Sequence, residues 1–284
     1  MAYLYLTLAV LGIAAQSITK KASSSKGVGG KFIFSFVSVF ATLLFFLVRS
    51  GFRFSLTPEY TPYTVAFAIT YAGAIIFSFF AIMTGPLSLT ALINSYSLVL
   101  PTVFGMIYYK EQGSPALYIG LALLTVSLVL VNMSGKSETG KIRPIWIFFA
   151  TASFLSNGIC TIAQNMHSRA FGGVGSNEFM TNALIVVTAL LFVLVLFGER
   201  KIFLKNLRAG WHLMVGCGLA NGLSNMLVIM CAVLLNASVM YPIISAGGII
   251  ISSLVSIFAY REKLSSAQYV GLFLGIGAVV LCSI

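Results

Sequence analysis

The sequence YKEQGSPALYIGLALLTVSLVL, residues 109–130, returns in altered form as YREKLSSAQYVGLFLGIGAVVL, residues 260–281. The two stretches align without a gap at an offset of 151 residues, and ten of their 22 positions are identical. Glu111 matches Glu262, and the residue before each is basic. A match of this length half a chain apart predicts an internal duplication. Each copy runs from a short charged turn into an apolar segment, which is typical of one membrane span entered from an interface.

The composition of the chain predicts an integral membrane protein. Of the 284 residues, 59% are hydrophobic and only 8% are charged, and the mean hydropathy is +1.01. A soluble globular domain carries about 25% charged residues. A water-soluble fold has too little interior to hide this much apolar surface, whereas the hydrocarbon core of a bilayer requires it.

Apolar runs of about 20 residues, the length that crosses a bilayer as a helix, predict ten transmembrane helices. We expect two five-helix repeats, over 1–137 and 142–284. Because five is odd, the second repeat must insert upside down relative to the first, as in many transporters. The predicted spans are 2–20, 31–49, 63–83, 88–108, 116–133, 144–166, 178–197, 210–233, 238–259 and 267–284.

Charge and cysteine usage exclude two other classes of protein. The net charge of +11 comes from basic residues in short loops between apolar runs, a pattern of membrane topology rather than of a nucleic-acid interface. The cysteines lie within apolar runs and form no CxxC pair, so they predict neither a redox centre nor a metal site. They are Cys160, Cys217, Cys231 and Cys282.

At this point the chain resembles a known family. Ten spans, two repeats and the segments Tyr108-Tyr-Lys-Glu111 and Ala259-Tyr-Arg-Glu262 are similar to the drug/metabolite transporter superfamily, EamA type. The resemblance covers the whole chain and implies transport, with spans one, three, four, six, eight and nine around a central cavity. The Trp-Gly typical of the family's first span is replaced here by Leu11-Gly12-Ile13. A role for that Trp therefore does not carry over.

Amide and hydroxyl side chains recur at helical spacing inside several spans and form the predicted substrate site. Residues three or four apart share one face of a helix, and at an offset of 148 Gln16 aligns with Gln164. Clustered amides at bilayer depth indicate a cavity lining, and the alternative is that they only join helices. The predicted substrate-binding residues are Gln16, Asn94, Asn157, Thr161, Gln164, Asn221, Asn225 and Tyr241.

Ionisable groups are scarce within the spans. The chain has no Asp, and its glutamates fall in loops, at interfaces or, like Glu178, at the start of a span. His167 and His212 lie at span ends, where a lone histidine is usually structural. With no nucleophile–base pair and no ligand cluster, we expect no enzyme activity, no cofactor and no metal. Gly218-x3-Gly222 and Gly271-x3-Gly275 predict close helix packing.

We therefore expect a multi-pass membrane transporter, in the cell membrane if the source is bacterial, working by alternating access. Its solute is a small neutral or zwitterionic metabolite, such as an amino acid, because no intramembrane carboxylate offers a counter-charge. The alternatives are a channel or scaffold, or a carrier of cationic drugs or quaternary amines bound by aromatic rings. We expect its partners to be the solute and membrane lipids, and we expect no nucleic acid. A monomer is expected, with a dimer as the alternative. Loop charges place both termini outside, whereas the family expectation is the reverse.

Overall fold

The computed structural model is built from α-helices. It describes residues 1–284 except 26, 28–29, 31, 85–89, 91–92, 95, 134–143, 261–264 and 284. The described part holds ten α-helices, which we number in chain order. They are α1 Ala2–Ser25, α2 Ile33–Arg49, α3 Thr61–Thr84, α4 Val99–Tyr108, α5 Pro115–Met133, α6 Pro144–Ala170, α7 Ser176–Gly198, α8 Phe203–Leu234, α9 Ala237–Tyr260 and α10 Ser266–Ser283.

The all-helical prediction is confirmed, and most bounds agree to within a few residues. An apolar chain in lipid has to satisfy its backbone N–H and C=O groups internally, and a helix does so within one segment. Proline begins both α5 and α6, where its missing N–H costs no intrahelical bond. Part of the predicted fourth span, the linker between the repeats and the pair Arg261-Glu262 lie outside the described residues.

Five helices are long and apolar enough to cross a membrane. These segments are Ala2–Ser23, Pro58–Thr84, Pro144–Ala170, Ser176–Gly198 and Arg200–Leu234. Shorter apolar helices follow at Ile33–Arg49, Val99–Tyr108, Pro115–Ser127 and Ser266–Leu281. Membrane insertion is thus supported by length and composition, while ten spans in two inverted repeats stay a prediction.

Large apolar side chains lie on the outside of the helices, as lipid contact requires. Phe197 on α7 is 89% exposed, Phe273 on α10 is 74% exposed and Ile107 on α4 is 73% exposed. Water would disfavour such surfaces by roughly 25 cal/mol for each Å² of apolar area, whereas acyl chains accept them. The exposed side chains therefore fit a bilayer as the surrounding solvent.

The helices form two compact units, and each unit draws on both halves of the sequence. The first unit contains 1–72 and 166–233, and the second contains 73–165 and 234–284. The chain passes between units within α3, within α6 and at the end of α8. The boundaries of these units therefore differ from those of the two predicted sequence repeats, 1–137 and 142–284. The duplication stays a prediction.

In the first unit, α2 packs closely against α8 through a glycine. The hydroxyl of Thr42 donates to the backbone oxygen of Gly218 at 2.9 Å, and Ser38 donates to that of Met214 at 3.0 Å. A Cβ placed on Gly218 would lie 2.2 Å from the backbone oxygen of Ser38, and one on Gly222 would contact the ring of Phe45 at 2.7 Å. The predicted small-residue packing is confirmed here, because only glycine admits this approach.

In the second unit, α5 packs against α10, the two helices that carry the duplicated sequence. The hydroxyl of Ser127 donates to the backbone oxygen of Gly271 at 2.6 Å, and a Cβ on Gly275 would lie 2.8 Å from the same hydroxyl. Leu124 and Ala278 are buried beside Ala246 of α9. The second glycine pair therefore also serves packing within the bundle.

Candidate functional site

Three helices of the first unit bring polar side chains together. The Nδ2 atom of Asn221 on α8 donates to Oε1 of Gln16 on α1 at 2.9 Å and to the hydroxyl of Tyr71 on α3 at 3.4 Å. One turn on, Asn225 Nδ2 donates to Oδ1 of Asn221 at 2.7 Å. Gln16, Asn221, Asn225 and Tyr71 are half-buried. We call these four residues the first polar cluster.

A glycine lets α1 approach closely enough to complete this cluster. Gly12 lies one helical turn before Gln16, and a Cβ on it would lie 2.2 Å from the hydroxyl oxygen of Ser224. That hydroxyl accepts a hydrogen bond of 3.3 Å from Gln16 Nε2 and donates one of 2.7 Å to the backbone oxygen of Ala220. The sequence feature that positions Gln16 is therefore the small residue beneath it.

The hydrogen-bonding capacity of Asn221 is not exhausted by these contacts. Its amide offers two donors and two acceptor lone pairs. Both donors are used, by Gln16 and Tyr71, and Oδ1 accepts from Asn225. One lone pair of that oxygen has no hydrogen bond among these contacts, so a half-buried acceptor is left for a solute or water.

A second group of polar side chains lies in the second unit. Asn94 is its centre, since its Nδ2 donates to the hydroxyl of Ser78 at 2.9 Å and its Oδ1 accepts from Ser153 at 2.8 Å. Ser97 donates to the backbone oxygen of Asn94 at 2.6 Å and accepts from Nδ2 of Asn157. We call these five residues the second polar cluster.

The remaining predicted site residues also belong to the second unit. Thr161 is half-buried and donates to the backbone oxygen of Asn157, one turn earlier on α6, at 2.9 Å. Gln164 is 5% exposed, and Tyr241 on α9 is 1% exposed. Gln16, Asn221 and Asn225 are thus joined in one unit and Asn94 and Asn157 in the other. That these residues bind substrate stays a prediction.

Sequence reasoning missed part of both clusters. Ser78 and Ser153 complete the second cluster, yet a single serine in an apolar helix carries no signal, because most such hydroxyls bond the preceding turn. Tyr71 was not among the predicted substrate-binding residues, although its hydroxyl contacts Asn221.

Three glutamates hold backbone N–H groups near helix beginnings. Glu199 was expected in a loop or interface, but it is only 4% exposed and accepts from the N–H groups of Phe32 and Ile33 at 2.8 and 2.9 Å. These N–H groups begin α2 and have no partner within their own helix. A carboxylate at the positive end of a helix is stabilised there, which accounts for its burial.

The other two carboxylates make similar contacts. Glu111 accepts from the N–H groups of Ala237 and Ser238 at the start of α9, at 3.0 and 2.8 Å. Glu178, in the first turn of α7, accepts from the hydroxyl of Ser55 at 2.7 Å and from the backbone N–H of Thr57. All three carboxylates are therefore already engaged by the protein. In the described ranges, no group of three or more histidine, cysteine or acidic residues could hold a metal ion.

Comparison with known proteins identifies the fold but no family. No protein-family model matches the chain, and no curated protein matches it. Among solved structures, 29 chains match. One of them, a crystal structure of a protein whose function is not stated, is similar with a TM-score of 0.82 and 17% sequence identity, over 99% of this chain and 95% of that chain. At this identity the likeness concerns the fold alone.

Proposed function

We propose that the protein is a secondary transporter that carries a small neutral or zwitterionic metabolite across a membrane by alternating access. The main observation behind this proposal is the first polar cluster, in which Gln16, Asn221 and Tyr71 meet from three apolar helices. Amides that converge in this way point toward one another and away from lipid, where each unpaired group would cost several kcal/mol.

The available charges favour an uncharged or zwitterionic solute. Glu111, Glu178 and Glu199 are engaged with backbone N–H groups near helix beginnings. A permanent cation would need one of these carboxylates to leave its partners, whereas an amide acceptor such as Asn221 Oδ1 suits an ammonium or hydroxyl donor. Recognition by amides and by the Tyr71 ring fits an amino-acid-like metabolite.

The proposal includes the family and its architecture. The resemblance to the drug/metabolite transporter superfamily, EamA type, implies ten spans in two inverted repeats, with the substrate near the midplane between them. The duplicated segments 109–130 and 260–281 support this arrangement, and most of each segment lies in α5 or α10. A protein so organised moves solute by exposing the same site to each side in turn.

The experiment that tests this function has two stages. Purified protein is first screened for small metabolites that raise its melting temperature, because a ligand that binds only the native state stabilises it. The best ligand is then used in counterflow with reconstituted liposomes, where a carrier shows transient uptake against a preloaded solute. Binding without counterflow would support a scaffold, and non-saturable flux would support a channel.

Variants sharpen this test. Asn221→Leu removes the centre of the first cluster, and we expect counterflow to fall at least tenfold while the protein still inserts. Gln112→Leu is the matched control, because Gln112 is exposed between α4 and α5. Unchanged counterflow in Asn221→Leu would remove the cluster from the transport site.

A further inference from the structure

His167, near the end of α6, is fully buried. It is 0% exposed, and neither Nδ1 nor Nε2 has a hydrogen-bond partner among the residues that the structure describes. A neutral imidazole carries one N–H donor and one acceptor nitrogen, and burying either without a partner is unfavourable. The chain has only one other histidine, His212, and that one is exposed. An apolar residue would fill the position of His167 without this cost.

Aromatic rings enclose the imidazole. Phe179 of α7 stacks on it, with ring centroids 4.3 Å apart and planes 14° apart. Tyr60 and Phe171 approach with centroids at 5.0 and 5.2 Å, and Tyr63 follows at 6.0 Å. The faces of such rings attract a cation, so this enclosure suits an imidazolium as well as a neutral ring.

Charged and titratable groups of the first unit approach the ring from several elements. Glu178 of α7 interacts electrostatically with His167. Tyr60 faces the ring from the turn before α3, and Tyr63 faces it from the first turn of α3. On α6 itself, Arg169 points its Nε to the backbone oxygen of Ala232 at 3.3 Å. Burial disfavours a charge on the ring, while the aromatic faces and Glu178 favour one.

From this geometry we propose that His167 is a proton-binding site that switches the packing of α6 against α3 and α7. A proton from water adds to the unprotonated ring nitrogen and leaves again to water, so no other reactant is consumed. The imidazolium has a second N–H donor, which needs an acceptor such as Glu178 or water. It cannot reach one while both nitrogens stay enclosed. Protonation therefore shifts the helices toward a packing in which the charged ring has a partner. The size of this shift is set by how much more tightly that packing binds the proton.

The position of His167 along the chain gives the switch a consequence. It lies two residues after Asn165, where α6 passes from the second unit into the first. If the protein is the transporter proposed above, proton binding at His167 makes the proton the coupling ion of the carrier. Proton binding itself does not depend on transport, so the two are tested separately.

Proton binding is read directly from the imidazole. Full-length His212→Gln protein, labelled at histidine and purified in detergent, carries a single imidazole whose NMR signals are followed from pH 3 to pH 8. We expect those signals to titrate within this range, together with a shift of several degrees in the melting temperature. A signal that stays unchanged across the range would overturn the proposal.

Variants separate the switch from general pH sensitivity. His167→Gln should lose the pH-dependent part of the melting shift, whereas His212→Gln should keep it. If His167→Gln does not fold, His167→Phe fills the same aromatic enclosure and serves instead. An equal shift in His167→Phe and in the unaltered protein would also overturn the proposal, because glutamates would then account for it.

Coupling to transport is tested in the liposomes. Once a solute is found, counterflow by the unaltered protein should vary severalfold between pH 4 and pH 7.5, whereas counterflow by His167→Phe should not change over that range. An identical pH profile in both would refute coupling. Absence of counterflow for every solute would count against the transport function alone, since the NMR titration would still be measured.

Discussion

The Nδ2 atom of Asn221 and the Oε1 atom of Gln16 lie 2.9 Å apart, although 205 residues separate them in sequence. A hydrogen bond between helices in a membrane is worth about 0.6 kcal/mol on average, with a maximum near 1.7 kcal/mol. That energy is small beside what a substrate contact contributes to binding. The pair therefore allows helix association and substrate binding to be separated by measurement.

The first prediction uses this pair. Gln16→Leu, Asn221→Leu and the double variant should show a coupling energy of unfolding of about 1 kcal/mol or less. If the pair lines the site, each single variant should lower solute affinity at least tenfold while its melting temperature falls by only a few degrees. Thermal unfolding and ligand-induced stabilisation are measured on the same samples. Loss of stability with affinity intact would assign the pair to helix association.

The second prediction concerns the buried carboxylate of Glu199. Glu199→Gln keeps the shape but removes the charge that faces the N–H groups of Phe32 and Ile33. We expect a loss of about 1–3 kcal/mol in the free energy of unfolding, because a bond to a charged group is replaced and an amide group is buried in its place. Glu59→Gln is the control, since Glu59 is exposed. Equal melting temperatures for the two variants would contradict the role of Glu199.

The third prediction compares two glycines of α8. A Cβ on Gly218 would lie 2.2 Å from the backbone oxygen of Ser38, whereas one on Gly216 meets no atom of the described residues within 4 Å. Gly216→Ala should therefore stabilise the helix by up to about 1 kcal/mol. Gly218→Ala should destabilise the protein, because two backbones have to separate and the bond from Thr42 is strained.

These two variants differ only in position, two residues apart on one helix, so they control for expression and for helix propensity. Thermal unfolding in the same detergent gives the comparison. A Gly218→Ala protein as stable as Gly216→Ala would mean that α2 and α8 do not approach as closely as described.

The helices were largely predictable because the bilayer imposes their length and polarity. The predicted bounds 63–83 and 178–197 compare with Thr61–Thr84 and Ser176–Gly198. Among the spans that the structure describes throughout, the largest difference is at α8, predicted from residue 210 and found from Phe203, because the stretch before Gly210 carries charges that a hydropathy window rejects. A helix continues through such residues once it has left the hydrocarbon region.

The sites were only partly predictable, because spacing fixes a face and not its partner. Asn221 and Asn225 were placed on one face, and the structure joins them to Gln16. No sequence pattern indicated that Ser153 would meet Asn94, since that contact depends on the rotation of α6. Burial of Glu199 was equally hidden, because a glutamate after an apolar run resembles an ordinary interfacial residue until its partner helix is known.

The last prediction concerns the direction in which the chain is inserted. If Met1 is cytoplasmic and all ten spans cross, the inside loops hold only four of the 17 basic residues. These are Arg49, Arg53, Lys110 and Arg169. The opposite orientation places the other 13 inside, and basic residues near the ends of spans favour the cytoplasmic side. We therefore expect both termini outside, against what the family resemblance implies.

A C-terminal reporter that is active only in the cytoplasm should stay inactive, while the same reporter inserted after Lys201, in the loop that follows α7, should be active. The reverse pair of signals would show that loop charge does not set the topology of this chain.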